Sequence, residues 1–416
     1  MRRIYFFVCI IVLCCINSAQ AHLPCPVNAR GVLQCDAEVK SSYKKSVSLH
    51  FDVNSREESY AARMLTKSLQ ERGYVINANS GDYSIKFFID KRGYDAEAFA
   101  IIPEGNVIKI IGGDYRGLIY GALSLSEDLR NEILLDNAVA RSEKPKLMLR
   151  AVKYDLPWDT YRHSEALNLH DETCRDPKYW EAFLDMMAEN RLNALSLWNL
   201  HPYPFMIIPK NYPEASPFTK EEFKEWQKLF QSIIGMAAER AIETYLIPFN
   251  IFVTPEFSVA HNVAMDNLDH HFYVRGETAQ IVKDYTRECV TQVLEEYPDL
   301  TGFGLTLGEG MAGMTPQERE AWMTETIIEG MRRANRPSKL VHRVPFSSTT
   351  ESLGNTSVET ERITRASIER EADMGFTEGP IFADFKFNWS HSLSTPKLIK
   401  VHGGPLYDTY FNPVSD

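Results

Sequence analysis

Thr301-Gly302-Phe303-Gly304-Leu305-Thr306-Leu307-Gly308-Glu309-Gly310-Met311 is the stretch on which the fold turns. Residues 301–307 form an apolar, strand-like run, and residues 315–335 beyond it carry apolar side chains at helical spacing. Between them stands one carboxylate, Glu309, flanked by glycines. A carboxylate at the carboxyl end of a strand that leads into a helix is where a (β/α)₈ barrel places its chemistry. Glycines on either side let a ligand approach the backbone closely. The plain alternative is a solvated loop glutamate.

Working outward, the same strand–helix rhythm recurs. Strand-like runs at 149–156, 194–200, 244–253, 301–307, 340–346 and 381–387 alternate with helical patterns at 178–190, 220–240, 278–296, 316–333 and 358–374. Such alternation predicts parallel strands joined by crossover helices. A dinucleotide-binding fold is the rival, yet no Gly-x-Gly-x-x-Gly follows any strand and there is no P-loop. The expectation is a TIM-type barrel, cut short after about six β/α units, over residues 146–416.

Residues 22–145 have a different rhythm. Runs at 46–53, 83–90 and 107–111 read as strands, 57–72 and 114–130 as helices, with Asp114 placed as an N-cap. This predicts a small α/β domain, with Lys144-Pro145-Lys146 as its junction to the barrel. Residues 1–21 read as an export signal: Arg2 and Arg3, an apolar stretch, then Ala19-Gln20-Ala21. The mature chain is expected near His22, secreted or periplasmic, with no membrane span. Cys14 and Cys15 admit a lipoprotein reading, but the bulky Ile11, Val12 and Leu13 before them fit it poorly. Cys25 and Cys35 suit a small disulfide loop in such a compartment.

The chain has 416 residues, 44% hydrophobic and 24% charged, with a net charge of −11. It lacks a basic run with interleaved aromatics, so nucleic acid is not an expected partner. There is no Gly-x-Ser-x-Gly elbow, no cysteine-nucleophile motif and no Cys-x-x-Cys. His270-His271 would need a third ligand for a metal, so neither metal nor cofactor is expected.

The predicted strand ends share a chemistry suited to sugars, which offer flat apolar faces and many hydroxyls. They carry Trp158, Trp198 and His201, then Glu256, Arg343, Lys386, Trp389 and His391. Trp158 and Trp198 serve equally as packing between strands and helices. Arg343 and Lys386 suit a substrate carboxylate or a neighbouring acid. Paired carboxylates then make glycoside hydrolysis the most economical reaction.

The run Glu295-Glu296-Tyr297-Pro298-Asp299-Leu300 through Glu309-Gly310-Met311-Ala312-Gly313 resembles the family 67 α-glucuronidases, in which Tyr-Pro-Asp leads to Gly-Phe and Glu-Gly-x-x-Gly. His342-Arg343-Val344-Pro345-Phe346 is similar to the family's following strand. Ile110-Ile111-Gly112-Gly113-Asp114-Tyr115-Arg116-Gly117 is similar to the α/β domain preceding family 67 and family 20 barrels. The resemblance implies that Glu309 is a general acid. The family's aspartate after strand six has no counterpart in Asn388-Trp389-Ser390-His391, and Asp384 is the nearest acid. Family 20 enzymes use an Asp-Glu pair at strand four, whereas Gly308 precedes Glu309 here.

The resulting expectation is a glycoside hydrolase acting on polysaccharide-derived oligosaccharides, with Glu309 and Asp384 catalytic. A sugar-binding protein on a degenerate barrel and a polysaccharide lyase are the alternatives.

Overall fold

The computed structural model describes residues 45–77, 80–158, 165–263, 277–307, 311, 313–343, 358–384, 400–401 and 404–405. Glu309, Lys386, Trp389, His391, the histidine pair, Cys25, Cys35 and the export segment lie outside the described residues.

From residue 45 the described elements run β1 (Ser46–His50), α1 (Arg56–Glu71), β2 (Val75–Ile76), β3 (Tyr83–Ile89), β4 (Phe99–Glu104), β5 (Val107–Gly112), α2 (Tyr115–Arg130) and β6 (Arg141–Glu143). The six strands form one mixed sheet in the order β2-β1-β3-β5-β4-β6. β4 runs antiparallel to β5 and β6. It is absent from the sequence expectation because Phe99-Ala100-Ile101-Ile102-Pro103 lacks a period-two pattern; Phe99, Ala100 and Ile101 are all buried. Asp114 caps α2 as expected, its carboxylate accepting from Gly117 N–H at 2.7 Å. α2 is buried all round from Gly117 to Ser126, and α1 contributes Leu65 and Leu69 to the same core.

A second sheet follows from β7 (Ala151–Asp155), α3 (Glu165–Arg175), α4 (Pro177–Glu189), β8 (Ala194–Asn199), α5 (Tyr203–Met206), α6 (Lys220–Glu239), β9 (Glu243–Pro248), α7 (Pro255–His261), α8 (Gln280–Glu296), β10 (Gly302–Thr306), α9 (Pro316–Met323), α10 (Glu329–Arg333), β11 (Lys339–Arg343), α11 (Val358–Asp373) and β12 (Phe382–Asp384). Its strands lie in the order β12-β11-β10-β9-β8-β7 and every pair is parallel. The six strands of the ladder are therefore all present, in sequential order, as a curled half-barrel.

The helix expected over 316–333 is interrupted. A π turn at Thr324–Ile328 separates α9 from α10. There the Thr326 hydroxyl bonds back to the Trp322 carbonyl at 2.7 Å, competing with the regular ladder.

The alternation along each strand sorts side chains into two cores. Leu195, Leu197, Phe303, Leu305 and Leu340 face the helices and join the large cluster. Ala194, Trp198, Tyr245 and Ile247 form a second cluster with Phe249 and Phe252, on the concave face. β10 presents glycine to that face. A Cβ on Gly302 would collide with the Lys339 carbonyl oxygen, and one on Gly304 would stand 2.7 Å from Ile247 Cγ1.

The two sheets are joined by buried charge. Arg116 of α2 holds Glu97 at 2.6 Å and Glu243 of β9 at 3.2 Å, and its Nε donates to Ala241 O at 2.7 Å. Lys339 reaches Glu243 at 2.7 Å across Gly302, while Arg150 and Asn193 hold Glu97 at 2.8 and 2.7 Å. A further clasp runs from Tyr60 of α1 to Asp185 of α4, which Arg240 also binds.

Candidate active site

Register fixes which side chains share the concave face. In a parallel sheet, partnered residues point the same way. Lys153 partners Ser196, and Asp155 partners Trp198. On the other side of the half-barrel, Val341 partners Phe382 and Arg343 partners Asp384. Asp155, Trp198, Arg343 and Asp384 thus stand on one face at or next to the carboxyl ends of their strands, the end at which barrels carry out chemistry.

Curvature brings distant strands together over this face. The guanidinium of Arg343 on β11 lies 5.3 Å from the centre of the Trp198 ring on β8, although β9 and β10 separate the two strands in the sheet. The Lys153 ammonium lies 4.3 Å from the same ring. Two cations therefore flank one indole, held by its negative π face. Trp198 is 4% exposed, and its Nε1 donates to Ser196 Oγ at 3.0 Å, which fixes the ring. Lys153 also pairs with Asp155 at 3.1 Å. Asp384 is partly buried, and its carboxylate has no hydrogen-bond or ion-pair partner among the described residues.

Loops behind the site are tied to the strands. Asn250, after β9, donates to the Thr306 carbonyl at 2.6 Å and to its hydroxyl at 3.0 Å. Thr306 in turn donates to Pro248 O at 2.6 Å. This fastens the end of β10, the strand whose sequence continues to Glu309. Asn199, the last residue of β8, donates to Trp158 O at 2.6 Å and accepts from His201 N–H at 3.0 Å.

Of the residues singled out in the sequence, the fold gathers Trp198, Arg343 and Asp384. It places three others elsewhere. Trp158 turns toward the helices and packs 4.9 Å from Trp226, with Phe205 and Phe230 beside it. His201 is buried, and its Nε2 lies 2.9 Å from the Tyr285 hydroxyl. Burial pushes its pKa down to about 3, so the ring is neutral. Glu256 is exposed in the first turn of α7, where a carboxylate complements the helix dipole. Lys153 and Asp155, outside the residues singled out in the sequence, stand on the same face. The signal was present: in Lys153-Tyr154-Asp155 of a strand, positions two apart share a face.

A cavity of about 720 Å³ lies at the other end of the strands, lined by Glu97, Arg116, Lys144, Glu243, Lys339 and Phe382. Its size would suit a ligand, but Glu97, Arg116, Glu243 and Lys339 are spent on the network that joins the sheets. The carboxyl-end face, where Asp384 has no partner among the described residues and Arg343 and Lys153 meet an indole, is the better candidate.

No family model matches the chain, and no curated protein matches it. Solved structures do. A GH138 enzyme targeting pectin rhamnogalacturonan II is 27% identical with a TM-score of 0.62, over 72% of this chain and 35% of that one. This chain therefore spans about a third of that enzyme's length, at 35%. A β-hexosaminidase of Streptomyces plicatus is 14% identical with a TM-score of 0.52, covering 84% of this chain and 73% of that one. The GH20 β-N-acetylhexosaminidase of Streptomyces coelicolor A3(2) is 13% identical at TM-score 0.50, covering 79% and 70%. The two Streptomyces structures show likeness of fold alone. The structural neighbours are thus glycoside hydrolases with barrel folds. Among the described residues, no helix is long and apolar enough to cross a membrane.

Proposed function

We propose that this chain is an exported glycoside hydrolase that cleaves uronic-acid-bearing oligosaccharides released from pectin-type or related polysaccharide. The observation that carries the proposal is the meeting of Arg343 and Trp198 across the concave face, with Asp384 in register beside Arg343. An indole supplies a platform for a sugar ring, Arg343 a fork for a carboxylate, and Asp384 a carboxylate for chemistry. The GH138 neighbour supports a pectic substrate, and the sequence resemblance supports a glucuronosyl one.

In this reading Glu309 protonates the glycosidic oxygen. Asp384 activates water from the opposite face of the sugar, or attacks the anomeric carbon directly. A carboxyl separation of roughly 6.5–9.5 Å accompanies inversion and roughly 5–5.5 Å retention. Lys153 and Arg343 hold the substrate carboxylate, and Lys386, Trp389 and His391, which follow β12 in the sequence, add further sugar contacts in this reading. The division into an export segment (1–21), an α/β domain (22–145) and a catalytic barrel (146 onward) belongs to the same proposal.

The test is turnover of the full-length protein on pectic and glucuronosyl oligosaccharides. Glu309→Gln is expected to lower kcat by about 10²–10⁴, the usual worth of a general acid, with the near-ultraviolet circular dichroism unchanged. Near-wild-type activity in that variant removes Glu309 from the acid role. Saturable binding with no product from the wild type makes the protein a sugar binder.

A further inference from the structure

A second cluster of chemistry-bearing side chains lies on the opposite side of β11 from Arg343. Val341 and Arg343 face inward, so His342 faces the helices, where it meets Glu320 of α9 and Glu371 of α11. All three are buried: His342 and Glu371 are 0% exposed and Glu320 is 5% exposed. One donor atom from each lies within 4.8 Å of the others.

Protein groups satisfy only part of this cluster. Glu320 accepts from Thr364 Oγ1 at 2.8 Å and lies 3.0 Å from His342 Nε2. Glu371 accepts from Ser367 Oγ at 3.2 Å through Oε1. Its Oε2 is fully buried and has no hydrogen-bond partner among the described residues, and the same holds there for His342 Nδ1. A protonated His342 would offset only one of the two buried carboxylates, and the second, with an oxygen left over, is expensive to ionise there unless a bound cation neutralises it.

We infer that Glu320, His342 and Glu371 form a binding site for a divalent transition-metal ion of the zinc class. Two carboxylates and one imidazole are a donor set zinc accepts, with bonds of about 2.0–2.2 Å. Three donors no more than 4.8 Å apart leave a central point at most about 2.8 Å from each, so side-chain shifts of up to roughly 0.7 Å close the shell. Glu320 also lines a cavity of about 320 Å³ with Gln317, Thr324 and Ser367, which gives an ion an entry path and room for a water as fourth ligand. The ligands come from three elements, α9, β11 and α11, so the ion would pin β11 to both flanking helices. It acts on the fold, and it stands apart from the sugar-facing side of the strand.

The experiment strips the full-length protein with chelator, returns Zn²⁺ and measures bound metal after desalting together with the melting temperature. The expected result is one Zn²⁺ per chain and a rise in Tm. Glu371→Gln, which keeps shape and can still accept from Ser367, is expected to weaken Zn²⁺ at least tenfold. His342→Gln should abolish retention, and a circular dichroism spectrum of each metal-free variant verifies that it folds. Wild-type protein that retains no Zn²⁺ above background overturns the inference. So does unchanged affinity in Glu371→Gln. Activity on sugars is not the readout, so failure here and failure of the hydrolase proposal are separate results.

Discussion

Replacing Arg116 with methionine tests whether buried charge holds the two sheets together. Arg116 is 17% exposed and its partners Glu97 and Glu243 are 11% and 16% exposed, so water screens the pairs poorly. Removing one partner from a buried pair costs about 3–5 kcal/mol, because the other charge is left uncompensated. Here both carboxylates keep other partners. Glu97 retains Arg150 at 2.8 Å and Asn193 at 2.7 Å, and Glu243 retains Lys339 at 2.7 Å and the Tyr245 hydroxyl at 2.6 Å. The expected loss therefore falls to about 2–3 kcal/mol. Urea unfolding at pH 7 measures it, read as a shift in midpoint at constant slope.

The same network sets an acid limit. Burial opposes ionisation of Glu97, but the Asn193 amide and the Arg150 and Arg116 guanidiniums outweigh it, and its pKa falls below the ordinary 4.5. Burial likewise opposes ionisation of Glu243, and Arg116, Lys339 and Tyr245 outweigh it. A depressed folded-state pKa contributes stability that is present above the unfolded value near 4.5 and is lost as pH falls through the folded value. The wild type should lose stability below pH 4.5, and the Arg116→Met protein should lose less over the same interval. A loss under about 1 kcal/mol at pH 7, with an unchanged acid slope, would refute the clamp.

Gly302→Ala should cost about 2–3 kcal/mol or more, since the new methyl meets the Lys339 backbone, which cannot step aside. Gly304→Ala should cost about 1 kcal/mol, because it meets only the Ile247 side chain; thermal melts compare the two. Trp180→Ala should cost about 3–5 kcal/mol in urea unfolding: the ring is 0% exposed, lies 4.8 Å from Tyr154 and donates to Cys174 O at 2.7 Å. On a responsive glycoside, Asp384→Asn should lower kcat by about 10²-fold or more, whereas Arg343→Met should mainly raise KM for a carboxylate-bearing sugar. Steady-state kinetics separate the two, and equal effects on both parameters would count against the assigned roles.

Much of the fold was legible in the order of residues. The six strands of the half-barrel and most crossover helices show as apolar periodicity, because a parallel strand is buried on both faces and an amphipathic helix on one. The N-cap at Asp114 was readable because capping is local chemistry. β4 was not, because its pairing with β5 and β6 is decided by partners distant in the chain. The π turn at Thr324–Ile328 also left no periodic trace.

The site divides along the same line. Position at a strand end is a one-dimensional property, so Trp198, Arg343 and Asp384 could be placed at strand ends from the sequence. Whether a strand-end side chain turns inward or toward the helices depends on pleat and packing. That is why Trp158 and His201 landed in the helix layer, while Lys153 and Asp155 came to the concave face. The approach of Arg343 to Trp198, and of Glu320 and Glu371 to His342, exists only because the sheet curls and the helices close behind it. Sequence by itself determined the strand–helix alternation and the stock of chemical groups at each strand end. Tertiary structure alone decided which of those groups meet, because side chains far apart in the chain become neighbours only through the curvature of a twisted parallel sheet.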